Sequence, residues 1–165
     1  MVDIRHALPQ DAPAIIDVER TCFPASEAAS AQSVNNRIAT HPNQYWLLFD
    51  RNRLAGFVSG MSSNETDLRD DMYTDASLYA DDGEWLMILG VDVMPAYRHR
   101  GCASRILKRV IGDAHRQGRR GLVLTCKEPL IGFYGRFGFR NEGVSQSTHG
   151  NVTWHQMRLT FPSRQ

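Results

Sequence analysis

Long hydrophobic runs are absent from this chain. No apolar stretch approaches the roughly 20 residues that cross a bilayer, and the opening Met1-Val2-Asp3-Ile4-Arg5-His6 lacks the apolar segment of a signal peptide. Cysteine is scarce: Cys22, Cys102 and Cys126 are odd in number, far apart and never arranged as C-x-x-C. Neither a disulfide framework nor a zinc knuckle is expected, and the chain reads as a cytoplasmic protein with reduced thiols. His6, His41, His115 and His155 show no ligand spacing, so no metal is expected. Net charge is nearly missing too. Nineteen Lys and Arg against 18 Asp and Glu leave +1, which gives no electrostatic footprint for a nucleic acid or a membrane surface. Neither G-x-G-x-x-G nor G-K-S/T occurs, which disfavours simple dinucleotide or ATP binding.

What remains is the material of one globular domain, residues 1–165, with 42% apolar and 22% charged residues. The near-neutral sum hides an asymmetry. Eight acids fall between Glu65 and Glu84 with Arg69 as the only base, leaving ten acids against eighteen bases elsewhere. The acidic stretch reads either as a solvated loop or as a field that draws in a cation.

Hydrophobic periodicity orders the elements. Val2 to Arg5 alternates as a strand. Ile15, Ile16, Val18 and Cys22 recur at helical spacing behind Asp11 as cap and Pro13 in the first turn, and Pro24 ends that helix. A second helix is expected over Ala29 to Ala39. Tyr45 to Phe49 and Leu54 to Met61 form a hairpin about Asp50-Arg51-Asn52-Arg53. Short helical structure is expected near Asp70-Asp71-Met72. Trp85 to Val93 is nearly continuously apolar, as a strand buried on both faces is. An amphipathic helix runs from Ala103 to Arg116, closed by Gly118. Leu122 to Cys126 is a short strand, Pro129 to Arg136 a short helix, and Phe139 to Val144 and Trp154 to Phe161 the last strands. The order β-α-α-β-β-β-α-β-α-β-β predicts an α/β domain with a mixed, mostly antiparallel sheet flanked by helices.

The most informative segment is Val91-Asp92-Val93-Met94-Pro95-Ala96-Tyr97-Arg98-His99-Arg100-Gly101-Cys102-Ala103-Ser104. A buried strand feeds a basic turn that contains glycine, and the turn feeds a helix. Free N–H groups at a helix start attract phosphate oxygens, and glycine lets the backbone approach them closely. By itself, Arg98 to Gly101 reads equally well as a basic loop capping a helix.

Arg98-His99-Arg100-Gly101-Cys102-Ala103 resembles the Arg/Gln-x-x-Gly-x-Gly/Ala motif of the GCN5-related N-acetyltransferase superfamily. It follows Pro95-Ala96-Tyr97, a Pro-x-Tyr that the superfamily often carries. It precedes Phe133-Tyr134-Gly135-Arg136-Phe137-Gly138-Phe139, which is similar to the family's Tyr-x-x-x-Gly-Phe element. The resemblance covers essentially the whole chain. Glu19-Arg20-Thr21-Cys22-Phe23-Pro24 and Thr125-Cys126-Lys127-Glu128-Pro129-Leu130 draw it towards bacterial relatives of arylalkylamine N-acetyltransferases.

The resemblance implies acetyl-CoA as donor and direct attack by a primary amine of a small molecule. Backbone groups of Val91, Asp92 and Val93 would bind the pantetheine arm, and Arg98, His99, Arg100, Gly101, Cys102, Ala103 and Ser104 the pyrophosphate. Tyr134 would be the general acid, with packing of its ring as the plainer reading. Where arylalkylamine members carry paired histidines on the central strand this chain has Met87 and Leu89, so the base stays open. Glu27, Glu84, Asp92 and His149 are the candidates, a solvated surface or capping role being the plainer reading of each, and a chain of waters could serve instead. Cys126 reads as an unreactive strand-end thiol. A non-catalytic acyl-CoA sensor and a protein or peptide N-acetyltransferase remain as alternatives, and a homodimer stays open.

Overall fold

The computed structural model describes residues 2–163. Seven strands carry the fold: β1 (Val2–His6), β2 (Tyr45–Asp50), β3 (Arg53–Ser63), β4 (Trp85–Val93), β5 (Gly121–Cys126), β6 (Arg140–Val144) and β7 (His155–Thr160). Four α-helices flank them: α1 (Ala12–Cys22), α2 (Ala31–Thr40), α3 (Cys102–Arg116) and α4 (Ile131–Gly135). The sheet order is β1-β2-β3-β4-β5-β7-β6. All neighbours run antiparallel except β4 and β5, which are joined by the α3 crossover. The expected elements are therefore present, with shifts of a few residues at their ends. The acidic stretch holds short 3-10 turns at Asp70–Tyr73 and Ala76–Leu78.

Period-two alternation along the strands sends side chains to two faces. On β2, Trp46 and Leu48 pack with Ile106, Leu107 and Val110 of α3. Tyr45 and Leu47 pack with Ile15 and Val18 of α1 and Val34 and Ile38 of α2. A third cluster covers the rest of the α1/α2 face. Leu68 and Met72 of the acidic segment bury themselves against Met61, Trp85, Met87 and Val123. The acidic segment is thus a lid over apolar surface rather than a solvated loop. Many of its acids are already engaged: Asp67 with Arg158, Asp71 with Arg69, and Asp70 with Ser147 and Thr148.

Two irregularities set up the site. The parallel pairing of β4 with β5 covers only Trp85–Ile88 against Gly121–Leu124, so past Ile88 the sheet parts. The β3–β4 register also slips, Ser59 facing Gly90 and Gly60 facing Ile88, which leaves Leu89 as an extra residue. A bulge of one residue reverses which face each later side chain takes. Without it Asp92 would follow Leu86 and Ile88 towards α3. With it, Asp92 turns towards α1, while Val91 and Val93 pack on the α3 side.

Asp11, expected as a helix cap, does something different. No side-chain cap bond forms at α1. Instead the carboxylate accepts from both terminal nitrogens of Arg5 (2.8 and 3.0 Å) and from the Leu8 N–H (2.7 Å). A cation with a matched fork outcompetes the helix start, and the pair ties β1 to the entry of α1. The Arg5 guanidinium holds Asp11 below the usual carboxylate range. A lowered folded value means stability that is fully present above the unfolded value of about 4 and is lost as pH falls through the folded one. Asp11→Asn is expected to cost about 1 kcal/mol at pH 7, a figure discounted for the exposure of Arg5. The gap to wild type should narrow as pH falls below about 4 and vanish once Asp11 is protonated in the folded chain, as read by urea unfolding.

Candidate active site

A cavity of about 430 Å³ lies on the α1/α2 side of the gap between β4 and β5. Its floor is Ile88 to Val91 of β4 and Leu124 to Cys126 of β5. Its walls are aromatic: Phe23, Tyr45, Phe57, Tyr73, Tyr134 and Trp154. Phe23, just after α1, and Trp154, just before β7, both line it. Met87 and Trp85 do not; they are core. Where the arylalkylamine relatives have histidines, Met87 is fully buried among apolar neighbours, and Leu89 is the bulge residue at the cavity.

The cavity is roofed by two loops that touch. The segment between α1 and α2 carries Glu27, whose carboxylate meets Lys127 Nζ at 2.8 Å. The Glu27 carbonyl accepts from His149 Nε2 at 2.7 Å. The His149 ring stacks on Tyr73 with centroids 5.1 Å apart, and its carbonyl accepts from Trp154 Nε1. A Cβ at Gly150 would come within 2.7 Å of Glu27 Cγ, so glycine, at φ +65°, is what lets the loops close. Lys127 Nζ also lies 5.8 Å over the Trp154 ring. Glu27 is therefore at the cavity but held by a cation.

Tyr134 stands on α4 at the gap, 6% exposed. Phe133 and Phe139 hold its ring edge-on at 5.1 and 5.9 Å. Burial first, then the neighbouring Cys126, raises its phenol above the ordinary value. The hydroxyl accordingly keeps its proton at neutral pH and is a donor. Cys126 is buried beside Met157, and burial pushes its thiol up to about 11. It is not a nucleophile in waiting.

Glu84 does not belong to this constellation. It is exposed, 3.7 Å from Arg120, at the far end of β4. Five residues at about 3.3 Å each separate it from Leu89. A polar residue just before a buried strand reads the same whichever end holds the site.

The turn after β4 has the features that a pyrophosphate requires. Met94 N–H bonds to Ala55 of β3. By the alternation of an antiparallel ladder, Asp92 also turns its main chain towards β3, and Val91 and Val93 turn theirs towards the gap. Asp92 thus brings to the site a side chain rather than the expected backbone groups. Arg98 Nε donates to the Val93 carbonyl at 3.0 Å, and Arg100 packs over Tyr97. His99 (φ +63°) and Gly101 (φ +79°) bend the chain into α3. Nothing lies within 4 Å of a Cβ built on Gly101, and α3 has no side-chain cap. The first N–H groups of α3, including those of Ala103 and Ser104, point out of an open, basic turn, which fits a bound polyanion.

Sequence reading did not single out Glu19. It sits four residues after Ile15 on the inward stripe of α1, 8% exposed, and accepts the Ala29 N–H at 2.8 Å. Beside it is Asp92, which has no exposed surface. A charged residue on an apolar stripe was the available signal. Arg37, 5% exposed, is a second such residue on α2, over the Tyr45 ring and bonded to the Gly60 carbonyl. Among the described residues no group of three or more His, Cys, Asp or Glu side chains is placed to hold a metal ion, and no helix is long and apolar enough to cross a membrane.

Comparison with known proteins agrees with this geometry. Serotonin N-acetyltransferase of Mesocricetus auratus is 24% identical over 163 residues, 96% of this chain and 77% of the relative. A GphF GNAT-like decarboxylase in complex with isobutyryl-CoA superposes with a TM-score of 0.83 at 22% identity, covering 96% of this chain and 98% of that one. The ribosomal-protein-S18-alanine N-acetyltransferase of Escherichia coli superposes at 0.74 with 17% identity, covering 100% and 97%. Residues 12–139, most of the chain, match the acetyltransferase (GNAT) family. With a split sheet, an uncapped helix after a basic turn and a cavity meeting the gap, the chain belongs to that family, an acetyl-CoA-dependent N-acetyltransferase.

Proposed function

We propose that the acceptor is the primary amine of a small molecule, acetylated by direct attack in a ternary complex. The observation that carries this reading is the roofed cavity. Contacts of Glu27 with Lys127, His149 and Gly150 close over the side from which the acceptor must come. A peptide substrate calls for an open groove there, whereas a 430 Å³ pocket with aromatic walls suits a compact amine. The acids that line the cavity are Glu19 and Glu27, so the attraction for a cation is local and not a field from the 65–84 segment.

In this reading the gap side holds the donor. Val91 and Val93 offer main-chain groups to the pantetheine arm. Arg98, Arg100 and the N–H groups of Cys102, Ala103 and Ser104 take the pyrophosphate, with His99 and Gly101 shaping the turn. The amine nitrogen forms its bond to the thioester carbonyl carbon, and the C–S bond breaks with its electron pair on sulfur. Tyr134, kept protonated by burial, donates its proton to that sulfur and is reprotonated by the proton that the acylated nitrogen sheds.

Acetyl-CoA at about a hundred times its Kd should stabilise the fold by about 2.7 kcal/mol. The double variant Arg98→Ala/Arg100→Ala should lose most of that shift in melting temperature, with the unliganded melting temperature kept. Tyr134→Phe should lower kcat for CoA release with an amine panel by about 100-fold while the KM for acetyl-CoA changes less than about twofold. An unchanged kcat would remove Tyr134 from the reaction. Acetylation of peptides and of no small amine would reverse the choice of acceptor.

A further inference from the structure

The roofed cavity has an acidic feature that the roles above leave unused. Asp92 is fully buried, and among the described residues no N–H or O–H reaches either of its oxygens. Its polar neighbour is another carboxyl, that of Glu19, which lines the cavity and is anchored by the Ala29 N–H. Two carboxylates side by side out of water repel strongly, and the arrangement relaxes if one carries a proton and donates it to the other. Burial, then the adjoining Glu19 carboxyl, raises Asp92 well above the ordinary carboxylate range, which makes Asp92 the member that takes the proton. The bulge at Leu89 creates this contact by turning Asp92 towards α1. Facing the pair are Cys22 from α1, Arg37 from α2 and Tyr45 from β2, with Arg98 approaching Cys22 from the turn after β4. Arg37 offsets the charge that Glu19 retains. Tyr45 and Cys22 are themselves raised by burial and stay neutral.

We infer that Glu19, with protonated Asp92 behind it, receives the proton of the acceptor ammonium. The inference rests on the small-amine reading and supplies the base that Met87 and Leu89 do not. An ammonium entering between the aromatic walls finds in Glu19 a carboxylate that is already partnered on one oxygen. Desolvation in the cavity weakens the ammonium's hold on its proton. The N–H bond breaks and the proton goes to Glu19. The freed lone pair attacks the thioester, and Glu19 later returns the proton to solvent. Asp92 acts through Glu19 as a positioning residue: its O–H stabilises the charged form and fixes the oxygen that faces the amine.

The test uses the full chain with acetyl-CoA and 2-phenylethylamine, followed as CoA release against pH. Glu19→Gln, which keeps the Ala29 bond, should lower kcat/KM for the amine by about 100-fold and abolish its acid limb. Melting temperature and the KM for acetyl-CoA should hold. Asp92→Asn still offers Glu19 a neutral donor and should stay within about fivefold of wild type. Asp92→Leu removes the donor and should lower kcat/KM for the amine further than Asp92→Asn does. Independently of turnover, difference infrared spectra at pH 7 should show a protonated carboxyl that Asp92→Asn lacks. A wild-type rate and acid limb in Glu19→Gln would overturn the inference, as would absence of the protonated carboxyl in wild type. Failure of the unaltered protein to acetylate any amine would sink the small-amine reading and this inference with it, and shows before any variant is made.

Discussion

The site depends on one break in the hydrogen-bonded sheet. β4 and β5 are bonded over four residues and then part, because one extra residue at Leu89 twists β4 away from its neighbour. Unpaired strand edges inside a protein are costly unless something satisfies them. Here Val91 and Val93 turn main-chain groups towards a gap, where Arg98 already takes the Val93 carbonyl, with an uncapped helix at one end and an aromatic cavity on one side. The same residue count that opens the gap also decides which side chains look into the cavity, and so it brings Asp92 against Glu19. Removing the bulge would close the donor side and turn Asp92 out of the acceptor side together.

Around the break, charge is arranged at short range. The net charge of +1 says little about it. Basic residues cluster exposed at the turn before α3, where a polyanion is expected. Within the 65–84 stretch, Asp67, Asp70 and Asp71 are engaged by Arg158, Ser147, Thr148 and Arg69, and Leu68 and Met72 pack beneath. Inside the cavity, Glu27 is held by Lys127 and Glu19 by the Ala29 N–H.

Much of this was legible in the sequence because periodicity reports burial directly. The limits of β4 and the order of elements follow from runs of apolar residues and their punctuation by Pro24, Pro95 and Gly118. The basic turn and Tyr134 were legible through a motif resemblance that covers the chain. The remainder turns on what a linear pattern does not carry. Asp11 was expected to cap α1 because Asp before Pro13 favours that role, but Arg5 lies six residues back and wins it in three dimensions. Glu84 looked available because a strand's polar start carries no mark of which end holds the site. Asp92 was expected to bind by its backbone and was weighed as one base among several, because the bulge that moves its side chain to the other face has no signature in composition. Glu19 went unsingled because its partner comes from 73 positions along the chain.

The central claim is that the open edge of β4 and the start of α3 together form the donor site. Amide hydrogen exchange with and without saturating acetyl-CoA tests it most directly. Slowed exchange at Val91 and Val93 and at Cys102, Ala103 and Ser104, with β6 (Arg140–Val144) unchanged, is the predicted result. Unaltered exchange at those five amides, with protection appearing elsewhere in the sheet, would contradict it.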